Sequence, residues 1–431
     1  MGLNLPDVAY EELMRRKEAG ALRLISLLAP ARSSSTALER ALLGSPDISL
    51  QVNDPFAIYD DAGREEKTYR YIFDRLEAQA KADGKQCTVA LVKNVADYIP
   101  PGAAWERWRA LCAAQVFLVR NPLLTMPSLF RMLARHFTPA ELDADAPQFG
   151  FVNGEALRAA LSGAEDFSPY DDLFRRLFTR DQKIHHDPVM CLPLLEALSA
   201  DRAKDAGYKN LDELGRALGD ADWEATLGRL QRDRTLDNPL LAKIFAQIFA
   251  WRITGWEALE EHFNEAPGAV IMDSSLFRSA PELAMRSLCR SLDIRYAVDM
   301  QVWTEQPGKR FTTDYDGEIP YYDRVTHSQK IDPPLERPFP VAAFPPSFRP
   351  HITGSGGCLH IYLRLLRALE PDLVRQYSIP AALRDIDPVF CTALALATGE
   401  PSVPPAGPFA DAIGALNQLA AAPRPPILRP A

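Results

Sequence analysis

The sequence is poor in the features that mark secreted, membrane or zinc-binding proteins. Its six cysteines are scattered and include no Cys-x-x-Cys pair, so neither a disulfide framework nor a zinc site is expected. The residues from Met1 to Pro6 lack the basic start and apolar run of a secretion signal, and no apolar run approaches the length of a membrane span. We therefore expect reduced thiols, no membrane partner, no bound metal and a cytoplasmic location.

The chain also lacks an excess of basic residues. It has 48 Lys and Arg residues against 57 Asp and Glu, a net charge of -9 at pH 7, and a general nucleic-acid binder needs the opposite balance. A nucleoside triphosphatase loop is missing too, because neither Gly84-Lys85 nor Gly308-Lys309 is followed by Ser or Thr. A general nucleic-acid binder is therefore disfavoured and we expect no nucleic-acid partner, and ATP or GTP hydrolysis is disfavoured too.

What is present is an apolar strand at 23–29 that leads into a basic, hydroxyl-rich turn and then a helix. The turn and the helix start hold Arg32, Ser33, Ser34, Ser35 and Thr36. Backbone N–H groups and the dipole at the helix start, four hydroxyls and one guanidinium all suit a bound phosphate or sulfate. The alternative is a Ser/Thr-rich helix N-cap without a ligand.

A second strand, at 115–120, ends on Arg120, and an Asn-Pro turn then leads into a helix expected to begin near Thr125. Ser128 lies eight residues after the arginine, in the first turns of that helix. A planar guanidinium and a hydroxyl in these places can converge on one dianionic phosphate. The alternative is an arginine that caps a strand end and a serine on a solvated helix face.

Together the two elements resemble those of sulfotransferases that use 3′-phosphoadenosine 5′-phosphosulfate (PAPS), in particular a bacterial branch of that family. The strand that ends at Lys93 resembles the family strand that delivers a lysine to the transferring sulfuryl group. The resemblance implies PAPS as co-substrate, a small-molecule hydroxyl or amine as acceptor, and no metal. It assigns the 5′-phosphate to the loop residues 32–36 and the 3′-phosphate to Arg120 and Ser128, with Lys309 and Arg310 as candidate substitutes for a later basic segment.

The sequence departs from the family at two points. Ser34 stands where the family loop has Gly, so the backbone must turn tightly without glycine's freedom. No His follows Lys93, so the general base is not transferred by the resemblance. Asp54 follows the second strand at the carboxyl edge of the sheet and is the candidate base, against the alternative of a simple turn acid. The reserves are Asp97, His185 and His186.

Apolar runs predict five strands, at 23–29, 48–52, 87–93, 115–120 and 269–273. Their alternation with helical patterns predicts an α/β protein with a three-layer parallel sheet of about five strands, and the resemblance implies the P-loop-like sulfotransferase fold. We expect one sulfotransferase domain over 1–330, in which a helical insertion at about 134–265 forms a wall of the acceptor site.

The C-terminal part has a different composition. Residues 331–399 are predicted to form a Pro-rich connector and a helical extension, with helices at roughly 356–371 and 379–398. Residues 400–431 read as a Pro/Ala-rich, mobile tail. A homodimer is compatible with this organisation.

The function favoured by the sequence is in-line sulfuryl transfer from PAPS, with Arg32, Lys93 and Asp54 as catalytic residues. An ATP-dependent phosphotransferase is one alternative, and it predicts a magnesium-binding acid pair and no need for Arg120. A non-catalytic nucleotide-binding protein of the same fold is the other, and it predicts donor binding without turnover.

Overall fold

A computed structural model of the chain describes residues 8–57, 64–83, 88–99, 102–136, 138–174, 255–303, 328–401 and 407–421, with residues 213 and 404. The strands are β1 Leu22–Ala29, β2 Ile48–Asn53, β3 Thr88–Val95, β4 Ala114–Val119 and β5 Val270–Asp273. They form one sheet in the order β2-β3-β1-β4-β5, and every pair of neighbours is parallel.

Helices precede, connect and follow these strands. In chain order they are α1 Val8–Glu18, α2 Ser35–Leu43, α3 Arg64–Asp83, α4 Ala103–Leu111, α5 Pro122–His136, α6 Pro139–Asp143, α7 Gly154–Gly163, α8 Trp256–Asn264, α9 Ser274–Ser279, α10 Pro281–Leu292, α11 Arg349–Thr353, α12 Cys358–Leu366, α13 Pro371–Gln376, α14 Ala381–Ile386, α15 Pro388–Ala397 and α16 Ala410–Ala421.

The sheet forms because its strands are almost continuous apolar runs that are buried on both faces. The central strand β1 pairs with β3 from Leu22 to Ala29 and with β4 from Ile25 to Leu28. Each predicted strand agrees with an observed one to within two residues. The α/β class, the five-stranded parallel sheet and the helical C-terminal region are thus confirmed.

Helices cover both faces of the sheet. The chain runs outward from β1 to β2 and returns through β3 to β4, so right-handed crossovers place α2 on one face and α3 and α4 on the other. In agreement, α1 contacts both α3 and α4, while α2 contacts the first three strands. On the α4 face the buried Trp108 donates a hydrogen bond from its indole N–H to Ser26 Oγ at 3.0 Å and packs against Phe56.

Three predictions about the helices were wrong. The segment expected to be a mobile Pro/Ala-rich tail contains helix α16, which buries Ile413 and Leu416 and contacts α12 and α15. The helix expected near Thr125 begins at Pro122, because Asn121 accepts a hydrogen bond from the Leu123 N–H at 3.0 Å through its side chain and proline suits the first helical position. The two helices predicted in the C-terminal region are four, α12 to α15. Pro371 and Pro388 each begin a new helix and Pro380 caps a third, because proline lacks the N–H that a continuing helix needs.

The described part of the predicted insertion contains α6, α7, two 3-10 helices at Ala146–Phe149 and Ser168–Tyr170, and α8. It packs onto the sheet domain through an aromatic cluster centred on Phe130 of α5, whose ring contacts Phe167, Phe174 and Phe348. Residues 175–254, apart from 213, lie outside the described residues, and the chain returns in α8.

The connector, residues 331–348, is extended with short 3-10 turns and leads into the C-terminal helices. Those helices pack onto the sheet at its β5 edge, where α12 contacts both β5 and α8. Among the helices that the structure describes, none combines the length and apolar character needed to cross a membrane.

Candidate functional site

The candidate site lies at the carboxyl edge of the sheet, between β1 and β4. The connection after β1 runs toward β2 on one side, and the connection after β4 runs toward β5 on the other, so a crevice opens between the two strand ends. Open parallel sheets bind their ligands at such a point. The loop after β1 and the arginine after β4, which the sequence singled out separately, therefore meet at the place that the topology favours.

The loop after β1 has an unusual backbone. Arg32 and Ser34 have positive φ angles of 64° and 72°, in the left-handed region that non-glycine residues seldom adopt. Ser34 occupies the N-cap position of α2, yet its side chain makes no capping hydrogen bond. Ser33 is fully buried, and none of the described residues hydrogen-bonds to its Oγ. The Ser34 side chain therefore does not cap the helix. A buried hydroxyl without a hydrogen-bond partner, such as that of Ser33, is typical of a site that binds a ligand or an ordered water.

Arg32, Arg120 and Ser128 come together beside this loop. Arg32 donates from Nε to Ser128 Oγ at 3.0 Å, and Arg120 donates from Nη1 to the backbone carbonyl of Arg32 at 3.1 Å. Arg120 is only 7% exposed, and burial lowers the pKa of its guanidinium to about 10. The sequence paired Ser128 with Arg120, whereas the observed hydrogen bond joins Ser128 to Arg32.

Lys93 and Asp54 form an ion pair at the ends of the adjacent strands β3 and β2. Their side chains are each 3% exposed, and Lys93 Nζ donates directly to Asp54 Oδ2. The other carboxylate oxygen accepts the Val95 N–H at 3.0 Å, and the Asp54 N–H donates to the Lys93 carbonyl at 2.7 Å. The predicted charge stabiliser and the predicted base are therefore paired with each other in this structure.

Glu39 of α2 lies close enough to this pair for both charges to act on it, and it was missed as a site residue. It is fully buried and accepts hydrogen bonds from Gln51 Nε2 at 2.9 Å and Asn53 Nδ2 at 2.8 Å. Burial raises the pKa of Glu39 to about 8, although the charge of Lys93 opposes this rise. The sequence did carry a signal, because the buried positions of α2 recur at the helical spacing Ser35, Leu38, Glu39 and Leu42.

Arg278 of α9 and Glu336 of the connector were also missed. Arg278 donates from Nη1 to Glu336 Oε2 at 2.9 Å, and the same carboxylate oxygen lies 3.5 Å from Nη2 of Arg120. Burial alone would raise the pKa of Glu336, but the two arginines lower it to about 2. Nothing in the sequence links residues so far apart, and the charged Glu336-Arg337 pair within prolines looks like a solvated loop.

Two further buried carboxylates join the C-terminal helices to the sheet. Asp273, at the end of β5, accepts the Tyr362 hydroxyl at 2.8 Å, and Asp387 accepts Asn121 Nδ2 at 2.8 Å. Burial raises the pKa of Asp273 to about 7 and that of Asp387 to about 6. The residue after Arg120 is therefore fixed by the C-terminal extension, which gives that extension a part in shaping the crevice.

The remaining predicted residues are placed only in part. Asp97 is buried in the 3-10 helix Ala96–Tyr98. Gly255 packs against both Asp97 and Pro30, since a Cβ added at Gly255 would lie 3.3 Å from Asp97 Oδ1 and 3.6 Å from the Cα of Pro30. Asp97 therefore lies near the start of the loop after β1. The other candidates, Lys309, Arg310, His185 and His186, lie outside the described residues.

Other possible sites are weaker. Within the described ranges, no group of three or more His, Cys, Asp or Glu side chains is placed to hold a metal ion. A surface depression of about 540 Å³ lies between α1 and α3, and none of the predicted site residues lines it.

In comparisons with known proteins, no family model, no curated protein and no solved structure matches this chain.

Proposed function

We propose that the protein is a sulfotransferase that moves a sulfuryl group from PAPS to a hydroxyl or amine of a small-molecule metabolite. The observation that carries the proposal is the meeting of Arg32, Arg120 and Ser128 at the crevice between β1 and β4. Two guanidinium groups and one hydroxyl, from the loop after β1 and from the segment that follows β4, suit a ligand with two anionic groups. PAPS is such a ligand, because it carries a 3′-phosphate in addition to its 5′-phosphosulfate, whereas nucleotides such as AMP carry phosphate at the 5′ end only.

The chemistry of the residues fits this donor. Ser33, Ser34, Ser35 and Thr36 at the start of α2 hold the 5′-phosphate, and the buried, unpartnered hydroxyl of Ser33 gains an acceptor there. Arg120 and Ser128 hold the 3′-phosphate. Arg32 and Ser34 both have left-handed backbone angles, so the loop makes its tight turn although Ser34 replaces the glycine of the family pattern.

Arg32, Lys93 and Asp54 carry out the transfer. Sulfuryl transfer resembles phosphoryl transfer in needing alignment and charge stabilisation more than covalent catalysis. The acceptor oxygen or nitrogen attacks sulfur, the bond from sulfur to the 5′-phosphate oxygen breaks, and the acceptor proton passes to Asp54. Lys93 leaves Asp54 for the departing phosphate, which releases the carboxylate to act as base. The products are the sulfated acceptor and 3′-phosphoadenosine 5′-phosphate (PAP).

The direct contact between Lys93 and Asp54 supports a second candidate, a nucleotide-binding protein without catalysis. A lysine and a carboxylate that stay paired neutralise each other, so neither stabilises a leaving group nor accepts a proton. This candidate shares the donor site with the enzyme but has no turnover. The two candidates therefore differ in chemistry and not in ligand.

The test is incubation of the purified protein with PAPS and a metabolite extract, followed by a search for products heavier by one sulfonate group. We expect such products with the wild-type protein and not with the Lys93→Ala variant. If PAP binds but no acceptor gains mass in extracts of several chemical classes, the non-catalytic candidate replaces the enzyme. An ATP-dependent phosphotransferase would instead give products heavier by one phosphate with ATP.

A further inference from the structure

The connector places a carboxylate where the proposed donor would place an anion. Glu336 Oε2 lies 2.9 Å from Nη1 of Arg278 and 3.5 Å from Nη2 of Arg120, so one oxygen lies against two guanidinium groups. The side chains of the two arginines are only 7% and 9% exposed. A carboxylate oxygen shared by two arginines occupies the position that a phosphate oxygen takes in a two-arginine site.

The geometry of Arg278 is set by the connector backbone. Its Nε donates to the Asp332 carbonyl at 3.0 Å, and its Nη2 donates to the Pro333 carbonyl at 2.8 Å. These two bonds hold the plane of the guanidinium and do not involve the carboxylate of Glu336. Nη1 therefore remains directed at the same point when that carboxylate moves away.

The charges favour replacing Glu336 by a stronger anion. Arg120 and Arg278 carry two positive charges, and the Glu336 carboxylate that contacts them carries one negative charge. The charges of Asp387 and Arg32 also act on Arg120, with opposite signs. A phosphate monoester carries nearly two negative charges near neutral pH and has three acceptor oxygens. Glu336 itself is 35% exposed, in contrast to the arginines, so its side chain can leave for solvent.

We propose that Arg278 is a second arginine of the 3′-phosphate site and that Glu336 is the carboxylate which the 3′-phosphate displaces from Arg120 and Arg278. This inference rests on the proposed function, because it assumes that the donor carries a 3′-phosphate. It adds a binding residue and a competitor to the site. Nucleotides without a 3′-phosphate have no group to displace Glu336, so the carboxylate affects only the binding of PAPS and PAP.

The test is isothermal titration calorimetry of PAP and of AMP, which lacks the 3′-phosphate, with the wild-type protein and Glu336→Gln. We expect the substitution to tighten PAP binding by about tenfold, because the phosphate no longer has to displace a charged hydrogen-bond acceptor from the arginines. AMP binding is expected to stay unchanged. Glu282→Gln is the matched control, because Glu282 pairs with Arg286 at 2.9 Å on an exposed helix face. It is expected to change neither affinity.

The outcomes separate the two proposals. Equal binding of PAP and AMP to the wild-type protein overturns the proposed function, and this inference with it. Preferential binding of PAP that Glu336→Gln leaves unchanged or weakens overturns this inference alone. If Glu336→Gln does not fold, hydrogen exchange of the wild-type protein decides, because the Leu335 N–H donates to Glu336 Oε2 at 3.3 Å. We expect PAP, and not AMP, to speed exchange in the peptide that holds Leu335, and unchanged exchange contradicts the displacement.

Discussion

Lys93 and Asp54 show how a buried pair constrains the chemistry of each member. Because both side chains are 3% exposed, removing one charge leaves the other buried without compensation, at a cost of about 3–5 kcal/mol. We expect Lys93→Ala to lower the free energy of unfolding by that order. We also expect it to lower turnover by about two to three orders of magnitude, as loss of an oxyanion donor does.

The double variant Lys93→Met/Asp54→Asn separates these two effects. It removes both charges but keeps the side-chain volumes and an acceptor for the Val95 N–H, so it is expected to restore most of the stability that Lys93→Ala loses while turnover stays low. Urea unfolding and initial rates measure the two quantities. Normal turnover in Lys93→Ala would remove Lys93 from the mechanism, and Asp54→Asn with full activity would transfer the role of base to Asp97 or to the histidines at 185 and 186.

Glu39 makes a separate prediction about pH. Its pKa in the folded protein, about 8, lies above its ordinary value, so the folded state binds more protons than the unfolded state between about pH 4.5 and 8. The contribution of Glu39 to the free energy of unfolding is therefore largest below pH 4.5. It falls as the pH rises to 8, by at most about 1.4 kcal/mol per pH unit. We expect wild-type protein to lose more stability than Glu39→Gln between pH 5 and pH 8. Urea unfolding measures this change. If both proteins lost the same free energy of unfolding between pH 5 and pH 8, the raised pKa of Glu39 would be contradicted.

At the scale of elements, the loop between β1 and α2 depends on its left-handed residues. Ser34 has a φ of 72°, a conformation that costs a side-chain-bearing residue about 1–2 kcal/mol and glycine much less. We expect Ser34→Gly to keep or raise the melting temperature. Ser35→Gly, one residue later in the helix, is the matched control and is expected to lower it. The same sign for both changes in thermal unfolding would contradict the loop geometry.

The elements that the sequence predicted are those with a strong local signal. The five strands that the structure describes were all predicted because each is an apolar run with turn residues at its ends, and their parallel order follows from the alternation with helices. Helices α14 and α15 were merged across Pro388, and α13, which begins at Pro371, was missed, although proline at a first helical position was itself the signal for a new helix. Local pattern therefore predicts where elements exist better than where they end.

Contacts within the site were less predictable than its parts. Arg32, Arg120 and Ser128 were selected from two local motifs, and their meeting follows from the position of β1 next to β4. The pairing of Lys93 with Asp54 needed the register in which Asn53 lies opposite Lys93. Arg278 and Glu336 were missed because their contact depends on the path of the connector across the sheet edge, which no spacing in the sequence encodes.

At the scale of the whole molecule, the C-terminal helices and the connector complete the crevice. Asp387 of the extension fixes Asn121, and Glu336 of the connector reaches Arg120, so two neighbouring residues after β4 each contact a segment beyond residue 330. We expect Asp387→Ala to weaken PAP binding as well as stability, because Asn121 loses its partner next to Arg120. Unchanged PAP affinity in a folded Asp387→Ala protein, measured by calorimetry, would limit the extension to a stabilising role.

The most direct test of the central claim compares the affinities of the wild-type protein for PAP and for AMP. The two ligands differ only in the 3′-phosphate, and loss of one charge-assisted hydrogen bond costs about 1.5–3 kcal/mol. We predict that PAP binds at least about tenfold more tightly than AMP and that Arg120→Lys, which lacks the planar fork, reduces this ratio. Equal affinities of the wild-type protein for the two ligands would contradict a 3′-phosphate site at Arg120 and Ser128.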